Sequence, residues 1–503
     1  MFDNILLGLN HVLSVWNIIA IFAGVMIGLV VGAMPGLSAT MAIALLLPLT
    51  FAMPAETGIS MMAALYLAAM YGGSIAAILL RTPGTPAAAA TVMDGYPMAA
   101  AGRPGHALGV SLYASLIGGI ISGIALLTIA PMLGRIVLEF GPVEVFAVAI
   151  LGITIIASLS QESTVRGLFS GALGLLLATV GMDMVTGTPR FTFGQLELYQ
   201  GIPFTVALIG LFSVPQAIRL IEQGNAIGEG IRKINDSLIL TGALMRRLLP
   251  NVLRSSGIGV ITGLIPGSGG DTACWFAYNE AKRFSKQKDK FGTGVEDGIA
   301  APEAANNAVV GGSLIPTIAL GIPGSSSTAV MMGGLMVHGV MPGPNLMTEH
   351  ADITYTLIWA VVFANIALFL TGIWFTRLCV HVTRVPNLVL GPIIIVLCVI
   401  GSFAINNSMF DVYLMLAFGF LGYVFDRLKI PTPPLVLGLI LGPLMDNTLG
   451  QSLLIGYGSW TVFLESPLAL FFFALAILSL IQGTFVSRWL VGLVTRSGRA
   501  RRI

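Results

Sequence analysis

The residues best suited to chemistry in this sequence are small hydroxyl side chains that follow Pro-Gly steps inside apolar segments. Such steps occur at Pro35-Gly36, Pro83-Gly84, Pro266-Gly267 and Pro323-Gly324. Proline has no amide hydrogen and glycine disfavours helix, so each step is predicted to end a helix and leave backbone groups unpaired. A helix that begins just after a step offers free N–H groups and the positive end of its dipole. This arrangement suits the binding of a carboxylate or a phosphate.

Two groups of candidate residues follow from this pattern. The residues predicted to bind an anionic substrate lie beside the steps: Ser38, Thr40, Thr85, Ser268, Gly269, Thr272, Ser325, Ser326, Ser327 and Thr328. Carboxylate, amide and freed carbonyl oxygens suit a hard cation such as Na⁺, and the residues predicted to hold it are Asp271, Asn306 and Asn307. The alternative is that the hydroxyls and Asp271 only cap helices and stabilise tight turns.

Other ionisable residues leave two interpretations open. Glu296, Asp297 and Glu303 can carry protons or Na⁺ within a membrane domain, or they can line a solvated cytoplasmic loop. Arg81, just before a step, is either a counter-charge for an anion or a side chain that snorkels to the surface. The five histidines and three cysteines show no metal-ligand spacing, and no phosphate-binding loop occurs. We therefore predict no catalytic residues and no cofactor, with Na⁺ as the coupling ion.

The composition places these residues in a membrane protein. Of the 503 residues, 56% are hydrophobic and 10% are charged, whereas a soluble protein has about 25% charged residues. At roughly 20 residues per span plus loops, this length allows on the order of 10 to 14 membrane segments. The net charge of +2 gives no indication of nucleic-acid binding.

The order of the breaks repeats along the chain. Gly28, Gly32 and the first Pro-Gly step match Gly259, Gly263 and the third step. Further along, Gly72-Gly73-Ser74 matches Gly311-Gly312-Ser313, and the second step matches the fourth. Ordered matches with slowly drifting spacing indicate an internal duplication.

The charge of the loops indicates how the two copies are oriented. The loop at 50–58 has no Lys or Arg, whereas its counterpart in the second copy carries Lys282, Arg283, Lys286, Lys288 and Lys290. At the other end, Arg103 belongs to the first copy and the loop at 342–352 has no Lys or Arg. Under the positive-inside rule, equivalent loops lie on opposite sides of the membrane. The predicted fold is therefore all-α, polytopic, with two inverted-topology repeats that contain broken helices or re-entrant hairpins.

The predicted domain organisation follows from the same reasoning. Residues 1–221 form the first membrane half, 222–250 a charged cytoplasmic connection, and 251–503 the second membrane half. The arginine-rich C-terminal tail is expected on the cytoplasmic side, where contact with acidic lipid is compatible with the same topology.

Four runs of residues resemble the large membrane subunit of tripartite tricarboxylate transporters, the TctA family. They are Pro-Gly-Leu-Ser-Ala-Thr at 35–40, Pro-Gly-Ser-Gly-Gly-Asp-Thr at 266–272, Gly-Val-Glu-Asp-Gly-Ile-Ala-Ala-Pro-Glu-Ala-Ala-Asn-Asn-Ala at 294–308 and Leu-Gly-Ile-Pro-Gly-Ser-Ser-Ser-Thr-Ala at 320–329. The resemblance implies a multi-pass subunit of the bacterial inner membrane that imports organic acids such as citrate, driven by an ion gradient. It also implies a small membrane subunit and a periplasmic substrate-binding protein as partners.

The sequence and the resemblance together predict a secondary transporter that carries a di- or tricarboxylate with Na⁺, or with H⁺, by an elevator-type motion. An anion channel, an intramembrane enzyme that uses Asp271 or Glu303, and a purely structural scaffold are the alternatives. Uptake that depends on an ion gradient distinguishes transport from product formation without uptake.

Overall fold

The computed structural model describes residues 2–34, 36–158, 163–183, 187–224, 234–267, 269–382 and 387–483, and every structural statement below refers to these residues. They are predominantly helical. The strands found there form one short antiparallel pair, Gly181–Met182 with Pro189–Arg190. The prediction of an all-α polytopic protein is confirmed.

The helices fall into two groups along the chain. The first group is α1 (Phe2–Val12), α2 (Val15–Ala33), α3 (Ala39–Thr50), α4 (Ala55–Leu80), a 3-10 turn (Pro86–Ala88), α5 (Ala89–Ala100), α6 (Pro104–Val137), α7 (Pro142–Ser158), α8 (Thr164–Ala178), α9 (Phe204–Leu208) and α10 (Val214–Gln223). The second group is α11 (Gly242–Leu264), α12 (Gly269–Phe284), α13 (Glu296–Leu320), α14 (Ser326–Val337), α15 (Ala351–Val382), α16 (Asn387–Asn406), α17 (Met409–Arg427), α18 (Thr432–Ile455), α19 (Val462–Glu465) and α20 (Pro467–Gly483). Three further short turns are 3-10 at Leu196–Leu198, Lys288–Lys290 and Pro344–Met347, and a π-helical turn spans Ile209–Ser213.

Among the described residues, seven helical stretches are long and apolar enough to cross a membrane: Val15–Ala33, Ala55–Leu80, Pro104–Val137, Phe204–Gln223, Ala351–Cys379, Leu388–Asn406 and Met409–Arg427. The helix α13 has 25 residues but is not among them, because its polar residues lower its hydropathy. Apolar side chains such as Ile393, Val396 and Ile400 on α16 are exposed, as a lipid-facing surface requires. The chain is a multi-pass membrane protein.

The predicted duplication is visible in the order of the helices. In each copy a long helix is followed by a short one, a second long helix, a break, another short helical segment and a third long helix: α2 to α6 in the first copy, α11 to α15 in the second. Equivalent breaks also share their backbone conformation. Gly36 and Gly267 have φ of +89° and +79°, and Arg81 and Gly321 end α4 and α13 in the left-handed region with φ of 59° and 70°. The inverted orientation of the copies remains a prediction.

The two copies are also packed in an equivalent way. The helix α2 packs against α4, and its counterpart α11 packs against α13. Between the copies, α6 packs against α13 and α15 packs against α4. Small residues permit the close approach of α11 and α13, since a Cβ placed on Gly259 would lie 2.7 Å from the Cβ of Ala308.

We expect Gly259→Ala to destabilise the protein and Gly257→Ala, on the same helix, to be tolerated. A Cβ at Gly257 would meet no atom within 4 Å, so alanine there gains the roughly 0.5–1 kcal/mol of its better helix propensity. At Gly259 the overpacking of α13 costs about 1–3 kcal/mol and outweighs that gain. Thermal unfolding of the two purified variants in detergent checks this. Equal melting temperatures would contradict the close-packed interface.

The described chain groups into two compact units. The first consists of Met1–Leu138 and Leu208–Phe420, and it contains both copies of the repeat. The second consists of Glu139–Ala207 and the described part of Leu421–Ile503. Within this second unit α8 packs against α18 and α7 packs against α20, and Arg190 forms an ion pair with Asp446.

The predicted cytoplasmic connection at 222–250 lies only partly within the described residues and stays a prediction. Residues 225–233 of the segment 222–250 lie outside the described residues, as does the tail from 484 onward. The segment from Gly242 onward belongs to α11. This helix begins there because the Thr241 side chain accepts a hydrogen bond from the Leu244 amide at 3.4 Å and so caps it.

Candidate functional site

The short helices that follow the breaks meet at their N-termini across the two copies. Thr40, in the first turn of α3, and Ser327, in the first turn of α14, share a buried hydrogen bond of 2.9 Å between their hydroxyls. Each of these helices is 12 residues long and belongs to a different copy. Because the positive end of a helix dipole lies at its N-terminus, two such ends converge at this contact. The arrangement favours a negatively charged ligand.

The remaining breaks lie in contact with this region. The Gly267 amide donates a hydrogen bond of 3.0 Å to the Gly324 carbonyl, so the two breaks of the second copy touch. The helix α12 packs against the turn Pro86–Ala88 that follows the second break of the first copy. A Cβ placed on Gly270, at the start of α12, would lie 3.0 Å from the Cβ of Ala87. The short segments of the two copies therefore pair as α3 with α14, and α12 with the turn before α5.

Some of the predicted anion-binding residues cap their own helices. Ser38 accepts a hydrogen bond from the Met41 amide at 3.2 Å. Ser325 and Thr328 form a reciprocal capping box at the start of α14. Capping and substrate binding are compatible for these residues, since a cap uses one acceptor position of a hydroxyl and leaves its other capacity available.

The other predicted anion-binding residues differ in their surroundings. The Thr85 hydroxyl is buried and has no hydrogen-bond partner in the described part of the chain. Gly269 begins α12 with φ of +60°, and Thr272 is half-buried in the same first turn. Ser326 is half-buried at the first position of α14. Ser268 lies outside the described residues.

The residues predicted to bind Na⁺ are only partly brought together. Asp271 is half-buried in the first turn of α12, and a Cβ on the preceding Gly270 would lie 3.2 Å from Oδ1 of Asn306. Asn307 instead donates a hydrogen bond of 3.3 Å to the Ser115 carbonyl on α6. Within the described segments, Oδ1 of Asn306 and Oδ1 of Asn307 are buried without a hydrogen-bond partner. Such oxygens are suited to a cation or a water molecule.

The carboxylates Glu296, Asp297 and Glu303 have different environments. Glu296 and Asp297 begin α13 and both lie 3.3 Å from the Arg247 guanidinium, and Arg103 lies 3.3 Å from Glu296. Glu303 is fully buried, so it does not line a solvated loop. Arg81 is exposed, and its guanidinium lies 5.6 Å from the centre of the Tyr96 ring.

Two buried polar residues, Tyr66 beside Ser325 and Asp94 beside the loop before α13, were not predicted from the sequence. The Tyr66 hydroxyl on α4 lies 3.1 Å from the Ser325 hydroxyl, and no local pattern distinguishes this tyrosine from its apolar neighbours. Asp94 on α5 is fully buried and accepts hydrogen bonds of 2.9 Å from the amides of Gly292, Gly294 and Val295. A single carboxylate in an otherwise apolar segment was the signal that could have identified it.

Comparison with known proteins agrees with this architecture. Residues 18–437 match the family model described as "Tripartite tricarboxylate transporter TctA family". An Agrobacterium vitis protein described as "Uncharacterized 52.8 kDa protein in TAR-I ttuC' 3'region" is 36% identical over 469 residues, which cover 93% of each chain. Another Agrobacterium vitis protein, described as "Uncharacterized protein in TAR-II ttuC' 3'region", is 36% identical over 211 residues, 42% of this chain and 87% of that protein. No solved structure matches the chain.

The family match covers both copies of the repeat and every candidate site residue. It agrees with the resemblance found in the sequence motifs, which is thereby confirmed. The chain belongs to the tripartite tricarboxylate transporter TctA family.

Proposed function

We propose that this chain, as the large membrane subunit of a tripartite tricarboxylate transporter, imports a di- or tricarboxylate across the bacterial inner membrane. The observation that carries the proposal is the Thr40–Ser327 contact, which brings the N-termini of two broken-helix segments together inside the membrane protein. Two positive dipole ends and several hydroxyl donors form a site for carboxylate groups. The partners would be a small membrane subunit and a periplasmic substrate-binding protein.

We propose Na⁺ as the coupling ion, with H⁺ as the alternative. Support comes from the unpartnered amide oxygen of Asn306 beside the start of α12, where Asp271 follows. A cation held there would lie close to the bound carboxylate, and each ligand would favour the binding of the other. Among the described residues, no cluster of three or more His, Cys, Asp or Glu side chains is suited to a metal ion. A weakly held monovalent cation requires no such cluster.

An elevator-type motion is our proposal for the transport step. Every described candidate residue lies in the first compact unit, so that unit would carry its own site as it moves. A cysteine introduced at Ser326 provides the test. Elevator transport predicts that this cysteine reacts with an impermeant thiol reagent from either side of the membrane, and that substrate suppresses both reactions. Reaction from one side only, in every condition, would contradict the motion.

The function is tested by uptake into liposomes that contain this chain and both partner subunits. Labelled citrate or succinate should accumulate when an inward Na⁺ gradient or, for coupling to H⁺, an inward proton gradient is imposed, and should not accumulate when neither gradient is present. Chemical conversion of the label without accumulation would support an enzyme instead. A channel would be supported if the substrate only equilibrates, so that no ion gradient raises its internal concentration above the external one.

We expect Thr40→Val and Ser327→Ala each to reduce the kcat/KM of uptake by about 10- to 100-fold. A hydrogen bond to a charged group contributes about 1.5–3 kcal/mol, and each 1.4 kcal/mol is a factor of 10. Because the two hydroxyls contact each other, the double variant should lose less than the product of the single effects. Initial uptake rates at several substrate concentrations measure this. Thr128→Val is the control, since that hydroxyl is exposed on α6 and binds the Ile124 carbonyl of its own helix.

A further inference from the structure

Glu303 on α13 lies at the centre of a polar cluster that the anion site does not use. Its side chain is fully buried. Oε1 accepts hydrogen bonds from Ser74 at 2.6 Å and from Thr91. Oε2 accepts hydrogen bonds from Ser111 at 2.8 Å and from Ser115 at 3.4 Å. Three helices of the first copy, α4, α5 and α6, thus supply hydroxyls to one carboxylate of the second copy.

No cation balances this carboxylate within the described part of the chain. The titratable groups that α4, α5 and α12 place around it are not cations. The Tyr71 hydroxyl on α4 lies 3.3 Å from Thr376, and Cys274 on α12 donates to the Pro302 carbonyl at 3.3 Å. Asp94 on α5 binds backbone amides, and Asp271 lies in the first turn of α12.

Three basic side chains of α6 and α11 are directed elsewhere. His106 on α6 and Arg247 on α11 both lie 3.3 Å from Glu296, at the beginning of α13. The Arg254 guanidinium, also on α11, lies 4.4 Å from the centre of the Phe284 ring. Neither helix therefore supplies an ion pair to Glu303.

A buried carboxylate without a counter-ion is strongly unfavourable unless it binds a proton or a metal ion. A carboxylate has about four acceptor positions, and the four hydroxyls of the Glu303 cluster fill them. No position is left for a metal ion. A hydroxyl can rotate so that it accepts a hydrogen bond instead of donating one. The cluster can therefore satisfy both the charged and the protonated carboxyl group without a movement of its heavy atoms.

The duplication indicates that the fold does not require this cluster. The match of Gly311-Gly312-Ser313 with Gly72-Gly73-Ser74 places Glu303 opposite Ala64 of the first copy. Ala64 is fully buried on α4, so the equivalent position is filled by an apolar side chain. The second copy has a buried carboxylate where the first copy has alanine. Because a buried carboxylate is unfavourable for folding, its presence in only one copy points to a role in function.

Ser115 on α6 connects the Glu303 cluster to Asn307 of the proposed transport site. Ser115 donates its hydroxyl to Glu303 and accepts the Asn307 amide on its carbonyl oxygen at 3.3 Å. No hydrogen bond in the described chain joins the Glu303 carboxylate to Asn307. A change in the charge of Glu303 would thus alter the hydroxyl orientations of α6 next to the site.

We propose that Glu303 is a proton-binding site and that a proton is transported together with the carboxylate substrate. The inference rests on the proposed function. The carboxylate takes a proton from water on one side of the membrane, becomes neutral, and releases the same proton to water on the other side. The four hydroxyls reorient in each step, and one proton crosses per cycle in the direction of the substrate.

The test is proton movement during substrate uptake, measured with a pH-sensitive dye inside liposomes that contain this chain and both partner subunits. We expect citrate or succinate uptake by the wild type to acidify the interior. An inward proton gradient of about one pH unit should raise accumulation by up to about 10-fold. Glu303→Gln should abolish both effects. Glutamine has nearly the same shape, and rotated hydroxyls can accept its amide hydrogens, so the variant is expected to fold.

The matched control is Glu144→Gln in the second compact unit. Glu144 also accepts a serine hydroxyl, from Ser466 at 2.6 Å, and a backbone amide, from Gly141 at 2.8 Å. We expect this variant to behave as the wild type. The inference would be overturned if uptake by the Glu303→Gln variant still acidified the liposome interior and still increased with the proton gradient. A wild type that takes up substrate without proton movement would also overturn it. A wild type without any uptake would overturn the proposed function instead.

A second measurement does not depend on transport. Infrared difference spectra of the purified chain, recorded between acidic and alkaline solutions, detect protonated carboxyl groups. We expect a carboxyl band that is present in the wild type and in Glu144→Gln and is missing in Glu303→Gln. Spectra of the wild type and Glu303→Gln that are identical across the physiological pH range would overturn the proton site.

Discussion

Ser325→Asp is expected to abolish carboxylate uptake while the protein remains folded. Aspartate is as good an N-cap as serine, so the start of α14 stays stabilised. The new negative charge, however, lies where the substrate carboxylate is proposed to bind. Two like charges about 4 Å apart at an effective dielectric constant of 20 repel by about 4 kcal/mol, which corresponds to a loss of affinity of roughly 100- to 1,000-fold. Labelled-substrate uptake and the melting temperature of the purified variant measure the two effects separately.

The matched control for this change is Ser14→Asp. Ser14 caps α2 by accepting a hydrogen bond from the Asn17 amide at 3.4 Å, and it is exposed. It is a serine N-cap that we do not place in the site, so its replacement should leave uptake unchanged. If both variants transport as the wild type does, Ser325 acts only as a helix cap. The convergence of α3 and α14 would then not be the anion site.

Asp94→Ala is expected to destabilise the protein more than any other substitution considered. The carboxylate accepts three backbone amides of the loop before α13, and the Tyr278 hydroxyl donates to it at 2.8 Å. Each buried donor that loses its acceptor costs about 1–3 kcal/mol. The loss should therefore be on the order of 3 kcal/mol or more, measured as a lower melting temperature and a lower yield of monodisperse protein.

Two further substitutions test the role of these hydrogen bonds. One removes the charge of Asp94 and keeps an acceptor oxygen, and the other removes an exposed aspartate elsewhere. Asp94→Asn keeps an acceptor oxygen for the amides and presents its amide hydrogens to the Tyr278 hydroxyl, so it should be clearly milder than alanine. Asp289→Ala, at an exposed position in the turn Lys288–Lys290, should have no measurable effect. Equal stability of Asp94→Ala and Asp289→Ala would show that Asp94 does not hold the loop.

The breaks in the helices could be predicted from the sequence because their cause is local. Proline and glycine limit the backbone at their own positions, and the sequence places them at equivalent points in two copies. The ends of α4 and α13, at Arg81 and Gly321, fall next to the predicted second and fourth breaks. The helix pairing of the copies follows the same repetition, so the fold class was accessible without coordinates.

The contacts within the anion site and within the Glu303 cluster could not be predicted in the same way, because they join distant parts of the chain. Ser74, Ser111 and Ser115 are ordinary small residues in apolar helices, and only the packing of α4 and α6 against α13 brings them to Glu303. The position of Thr40 after a break predicts a role in the site, but its contact with Ser327 joins different copies. No spacing along the sequence encodes such a contact.

The central claim is that the helix N-termini of the two copies form one binding site for a carboxylate. The most direct test is a structure of the transporter with bromosuccinate, in which the anomalous signal of bromine locates the ligand. We predict bromine between α3 and α14, with a ligand carboxylate oxygen about 3 Å from the hydroxyl of Thr40, Ser326 or Ser327. A ligand bound only elsewhere in the chain, with the Thr40–Ser327 hydrogen bond intact, would contradict the claim.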